Sequence, residues 1–297
     1  MKARAPVTAS FLGDQLGPRG RRRVAVVSVV SALVIAAVLA VAVNRLADKG
    51  QFDDDLWRPL RQWSVLRFLL AGLVNTLKAA AVAMVIAMVI GIVMALGRLA
   101  RNRPVRWVSG VYIEFFRAMP LILLIFFCFL ALPQEGIDIS PFQALVLGLC
   151  VYNGAVLGEI FRAGILSLDR GQTEAASAVG LTYWQSMATV ILPQAARRMA
   201  PAIVSQLVTL LKDTSLGFVI GYDDALRRAR DIGTFYGNNQ LQAYAFMAVC
   251  YIVINLALSR LANYLEVRQQ RRLGAQRIDV GGVEDLAVVG AQASTQV

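Results

Sequence analysis

Six stretches of this chain are too long and too apolar for the interior of a water-soluble domain: residues 24–43, 68–96, 107–132, 142–161, 202–220 and 241–262. Crossing the hydrocarbon layer takes about 20 apolar residues at 1.5 Å rise each, and every stretch meets or approaches that length. Hydrocarbon offers no water to backbone N–H and C=O groups. A spanning segment must therefore close its hydrogen bonds within itself, as a helix, or with neighbours in a closed barrel. Alternating strands of about ten residues, the mark of a barrel, do not occur. The expected fold is an all-α polytopic membrane protein with six transmembrane helices. Composition agrees, with 57% of the 297 residues hydrophobic and 16% charged.

A net charge of +11 would suggest nucleic acid as a partner if the chain were soluble. Its placement indicates topology instead. Residues 1–23, 97–106, 162–200 and those beyond 265 carry 18 Lys and Arg, whereas the opposite connections at 44–67, 133–141 and 221–240 carry eight. Basic residues accumulate on the cytoplasmic side, so both termini are expected in the cytoplasm of a bacterial cell and no nucleic-acid partner is expected. Arg19 to Arg23 followed by an apolar run imitates a signal peptide, and Ala40-Val41-Ala42 imitates a cleavage site. The run exceeds the 7–15 apolar residues typical of a signal, and an uncleaved first helix is the reading.

Several chemistries have no residues to support them. Histidine is absent, and Cys128, Cys150 and Cys250 fall inside apolar segments with no CxxC or metal spacing, so they read as small buried hydrophobes. No GxxxxGK[ST], HExxH or GxSxG occurs, which leaves the chain without a P-loop, a zinc-protease helix or a serine elbow. No enzyme activity, metal or cofactor is expected.

The polar segment from Gly171 to Pro201 separates two of the apolar stretches. It contains Glu174-Ala175-Ala176, three residues, Gly180, nine residues, then Val190-Ile191-Leu192-Pro193. The small residues suit a short helix seated in a partner's groove, and Gly180 suits the left-handed position that ends such a helix. Thr182 and Gln185 have the spacing of a capping box that starts a second helix, and Pro193 is expected to break it. The plain alternative is an amphipathic segment lying on the membrane surface.

The spacing resembles the EAA loop of the permease subunits of ABC importers, with Val190 where isoleucine is commoner. Further signatures resemble the polar amino-acid branch of these permeases: Asn75-Thr76-Leu77, Phe116-Arg117-Ala118-Met119-Pro120-Leu121, Gly158-Glu159-Ile160-Phe161-Arg162-Ala163-Gly164-Ile165, Leu192-Pro193-Gln194-Ala195 and Lys212-Asp213-Thr214-Ser215-Leu216. Ala118-Met119 stands where Gly-Thr is commoner, and Asn153-Gly154-Ala155 replaces an alanine-tyrosine pattern. The resemblance implies a five-helix type I importer core at 68–264, with its coupling loop at 171–193. Outside it lie a basic N-terminus at 1–23, an additional helix at 24–43, an extracytoplasmic link at 44–67 and a flexible tail at 265–297. It also implies that Glu174, Ala175, Ala176, Gly180, Leu192 and Pro193 couple to a separate ABC ATPase dimer. A second permease protomer and an extracytoplasmic solute-binding protein would complete the assembly. The extra helix and tail resemble the second permease of actinobacterial glutamate importers, which implies glutamate as substrate and a paralogous second protomer.

Charged residues inside spans are functional candidates by default. Lys78, Arg117, Lys212 and Arg260 qualify. Arg117 precedes Pro120, which must kink or interrupt its helix, and a guanidinium beside freed backbone groups suits a carboxylate. An ion pair to Glu114 or Glu159 is the alternative. Lys212, Asp213, Thr214 and Ser215 form the most polar cluster of the fifth apolar stretch, with Lys212, Thr214 and Ser215 as substrate contacts or as structural pairs and cross-helix hydrogen bonds. Asn153 is a weaker candidate for the lining of the path, and Lys78 is expected to snorkel outward. The rival functional class is an autonomous secondary transporter or channel, which would predict a membrane carboxylate relay.

Overall fold

In a computed structural model, the residues described are 17–237, 239–261 and 264. The N-terminus at 1–16 and the tail at 265–297 lie outside them. The described secondary structure is helical throughout, with no strand, as backbone satisfaction in lipid demands.

The chain divides into two units, residues 1–58 and 59–297. The first holds α1 (Pro18–Asp48), 31 residues with Pro18 in its first turn, a favoured site for proline because no donor is lost there. A turn through Gly50 at φ +67° leads to α2 (Asp54–Trp57). The Trp57 indole donates to the Gln51 carbonyl at 3.3 Å.

In the second unit, a 3₁₀ turn precedes α3 (Trp63–Leu99). The chain continues through α4 (Arg103–Ala118), α5 (Leu121–Gln134), α6 (Pro141–Leu166), α7 (Arg170–Ala178) and α8 (Tyr183–Ser186). A π turn at Met187–Ile191 joins α8 to α9 (Leu192–Asp213). A 3₁₀ run at Thr214–Ile220 and α10 (Ala225–Phe235) follow, and α11 spans Gln240–Leu261. Five helices are long and apolar enough to cross a membrane, and the α4–α5 pair makes a sixth span if taken together.

Helices α3 and α6 form the central seam. Ala79, Ala83 and Ala87 of α3 and Ala144 and Ala155 of α6 are wholly buried. Small residues let helix backbones approach closely where apolar burial gives no advantage over lipid. A Cβ on Gly154 would lie 2.6 Å from Ile90 Cγ2, and one on Gly91 would lie 2.8 Å from Leu157 Cβ. A second cluster packs Val65, Leu69 and Leu73 of α3 against Ala225, Ala229 and Ile232 of α10 and Ala243 and Met247 of α11. Helix α6 starts sharply because Ser140 Oγ accepts from Gln143 N–H, Gln143 Oε1 accepts from Ser140 N–H, and Pro141 opens the first turn.

Three expectations need correction. The stretch 107–132 is not one continuous helix: α4 and α5 meet at 100°. Met119 and Pro120 are both extended, with ψ 138° and 124°, because proline bars the α conformation from the residue before it. Pro193 does not break the coupling segment. Leu192 N–H bonds to Met187 C=O five residues back, and this widened turn removes the clash a proline ring would make with an α-register carbonyl. The helix therefore runs on into α9. Finally, the polar cluster 212–215 does not lie within one α-helix: Lys212 and Asp213 close α9, and Thr214 begins the tighter 3₁₀ run.

Gly154→Val tests the seam. Overpacking of this kind costs about 1–3 kcal/mol, so the thermal midpoint of the purified chain should fall by several degrees, whereas Gly17→Ala, at a negative φ with open space around it, should leave it nearly unchanged.

Candidate coupling surface and polar path

The segment after α6 is built from its caps outward. Asp169 Oδ1 accepts from Gly171 N–H at 2.8 Å and starts α7. Leu181 N–H bonds to Ala176 C=O and Gly180 N–H to Ser177 C=O, with Gly180 at φ +81°. That pair of bonds is a Schellman turn, and it satisfies carbonyls that the helix end leaves open. Gln185 Oε1 then accepts from both the backbone N–H and the hydroxyl of Thr182, each at 2.9 Å, which starts α8.

Most of the expected coupling residues share an exposed surface here. Glu174, Ala175, Gly180, Leu192 and Pro193 are exposed. Ala176 is not: it is 5% exposed and packs inward, so it shapes the turn from beneath. Sequence reasoning passed over the apolar part of the surface, Val179, Tyr183 and Trp184, which are 76%, 48% and 68% exposed. It also missed the ties that hold the segment. Gln194 Nε2 donates to Gln172 Oε1 at 3.0 Å, and Arg198 Nη1 donates to Ser167 C=O at 2.5 Å, so the start of α7 and the end of α6 are fastened to α9. Their sequence signal is weak because each pair joins residues more than 20 positions apart.

The path candidates are dispersed. Asn153, wholly buried, donates to Leu149 C=O and accepts from Gln206 Nε2 at 2.6 Å, which ties α6 to α9. Thr214, also wholly buried, donates to Leu211 C=O at 2.6 Å, and Ser215 Oγ donates to Lys212 C=O at 2.7 Å. Lys212 is exposed. Arg117 is exposed at the C-terminal end of α4, beside the Met119–Pro120 break. The carboxylates considered as its partners are taken by other arginines. Glu114 accepts from Arg98 Nη2 at 2.6 Å, and Glu159 accepts from both Nε and Nη2 of Arg162. Arg117 remains within electrostatic reach of Glu159. Lys78 is exposed, 5.7 Å from the centroid of the Phe142 ring.

A polar knot that the sequence did not disclose fastens residues 222–228 onto α3. The Tyr222 hydroxyl donates to Asn75 C=O, and Asn75 Nδ2 donates to Asp223 C=O. Arg228 forks the Asp223 carboxylate and also donates to Phe68 C=O. Thr76 Oγ1 donates to Gly72 C=O and accepts from Ala225 N–H. Asp224, wholly buried, caps α10 by accepting from Arg227 N–H at 2.8 Å. The two neighbouring carboxyls respond oppositely. Hydrogen bonds from Arg228 hold Asp223 below its ordinary value, whereas burial pushes Asp224 up to about 6.

The comparisons with known proteins agree with this geometry. Residues 87–271 match the family described as binding-protein-dependent transport system inner membrane component. The chain belongs to that family. It is 39% identical over 241 residues to the glutamate transport system permease protein GluD of Corynebacterium glutamicum, covering 79% of this chain and 86% of the relative. It is 38% identical over 206 residues to the probable glutamine ABC transporter permease protein GlnP of Bacillus subtilis, covering 69% and 94%. Among solved structures, it resembles the crystal structure of an amino acid ABC transporter with histidines, at TM-score 0.65 and 33% identity over 68% of this chain and 94% of that one. These similarities group it with amino-acid ABC permeases.

Two substitutions test the local account. Valine in the left-handed conformation of Gly180 is disfavoured by roughly 1–2 kcal/mol, so Gly180→Val should speed hydrogen exchange at the Leu181 amide, with Gly180→Asn affected less. At Asp224 the folded state binds the proton more tightly than the unfolded chain, whose value is near 3.8. Its contribution to stability is therefore full below that value and declines as pH rises towards about 6. Asp224→Asn keeps the cap and should remove this component of the pH profile of the thermal midpoint.

Proposed function

We propose that this chain is the translocating subunit of an ATP-driven importer for a polar amino acid, with glutamate as the substrate. The observation that carries the reading is the unbroken helix from α8 through the π turn into α9. A push on the exposed face around Glu174, Val179, Tyr183 and Trp184 reaches a membrane span without crossing a flexible joint. The partner that pushes is a separate ABC ATPase dimer, since this chain contains no P-loop. Closure of that dimer on ATP favours one packing of the spans over the other, and the energy is the difference in ATP affinity between the two states.

The assembly includes an extracytoplasmic solute-binding protein and a second permease protomer, a paralogue of this chain. Both termini and α7 face the cytoplasm, in line with the distribution of Lys and Arg. Within the membrane, Arg117 receives a substrate carboxylate. Its support is the exposed guanidinium at an interrupted helix, with the nearby carboxylates already paired. Asn153, Thr214 and Ser215 position helices along the path, and Lys212 contributes positive charge at the end of α9. The name of the glutamate relative supports the choice of substrate. An autonomous transporter has less support, because Glu114 and Glu159 are bound to arginines and form no relay.

The test is uptake of labelled glutamate, glutamine and arginine in cells lacking the chain and complemented with variants. Glutamate uptake alone should disappear and return with the wild type. Trp184→Ala should restore little transport despite normal membrane levels, and Arg117→Lys should raise the substrate concentration for half-maximal uptake by about tenfold, as loss of a bidentate contact implies. Loss of a different amino acid would overturn glutamate and keep the mechanism. Transport by the purified chain without an ATPase would overturn the mechanism.

A further inference from the structure

The loop between α3 and α4 borders a cavity of about 550 Å³. Its walls include Arg98, Arg103, Arg106, Arg162 and Trp107. Two of these arginines are committed, Arg98 to Glu114 and Arg162 to Glu159. Arg103 and Arg106 are exposed and have no carboxylate partner among the described residues. The pocket is shaped by the backbone: a Cβ on Gly110 would collide with Arg98 Nη1, so the guanidinium lies against the bare backbone of α4.

The position of the pocket narrows what it can bind. Two spans end here, α3 at Leu99 and the α4–α5 pair at Arg103, so the cavity lies at one end of the spans, where anionic headgroups would be met. Trp107, 69% exposed, stands at the rim, and Val108 and Val111 of α4 are exposed beyond it. Guanidinium groups at a membrane boundary match phosphate oxygens in geometry as well as in charge. An indole suits the headgroup level, and the exposed valines suit acyl chains. Basic pockets between transmembrane helices bind anionic headgroups.

We propose that this cavity is a binding site for the phosphodiester headgroup of an anionic phospholipid, with Arg103 and Arg106 as its contacts and the acyl chains along α4. A soluble anion would use the arginines but not the adjoining apolar stripe. The inference rests on the membrane spans alone, so its failure would leave the importer reading intact.

The experiment is native mass spectrometry of the full chain in non-ionic detergent, titrated with phosphatidylglycerol or phosphatidylcholine. Arg103→Gln with Arg106→Gln should weaken phosphatidylglycerol binding by at least about tenfold, the expectation when two arginines each contribute near a membrane surface. Phosphatidylcholine binding should not change. Arg227→Gln with Arg230→Gln, at a separate basic cavity on α10, should bind as the wild type does, and millimolar inorganic phosphate should not compete. Equal binding by the Arg103/Arg106 variant would overturn the site. An equal loss in the α10 variant would show general charge attraction instead, and displacement by inorganic phosphate would show a site for free phosphate; either would overturn the lipid assignment.

Discussion

Every backbone amide that enters hydrocarbon must find its partner within its own segment, and the rest of this structure depends on that constraint. It makes regular helix the default, so each departure from regular helix marks a place with a separate physical cause. The described core has three: the Met119–Pro120 break, the π turn before Pro193 and the 3₁₀ run after Asp213. Two are set by proline, which lacks a donor and crowds its neighbours. The outcomes differ. At Pro120 the proline and the residue before it become extended and the helix axis turns by 100°, whereas before Pro193 one wider turn absorbs the ring and the axis continues.

That difference separates two kinds of mechanical element. A break such as the one between α4 and α5 exposes backbone groups next to Arg117. A continuous rod such as α8 to α9 transmits displacement. The rod is also fastened laterally, through Gln172–Gln194 and Arg198–Ser167, so α7 cannot tilt without carrying α9 with it. The Schellman turn at Gly180 gives the connection its angle, and inward-facing Ala176 keeps α7 close to the π turn.

Polarity inside the core is used chiefly for fastening. Asn153 and Gln206 join α6 to α9, and the knot around Asn75, Thr76, Tyr222 and Asp224 holds α10 to α3. Such groups are expensive to bury without partners, and Thr76, Asn153, Thr214 and Tyr222 each donate to a backbone carbonyl. Among the described residues, Arg117 at the helix break and Arg103 and Arg106 at the start of α4 are exposed and make no salt bridge.

Much was legible in the sequence because it depends on local pattern. Span length, the left-handed Gly180 and the Thr182–Gln185 start of α8 all follow from side-chain chemistry within a few residues. The spacing of the coupling segment was readable for the same reason, and with it the family. What only the tertiary structure decided involves residues far apart in the chain. The partner of Glu114, the inward turn of Ala176 and the burial of Asp224 all depend on neighbouring elements. Local chemistry determines which conformations a segment can adopt. Which partner a charged or polar side chain meets is decided by helix packing, and in this chain that is set by the small-residue seam between α3 and α6.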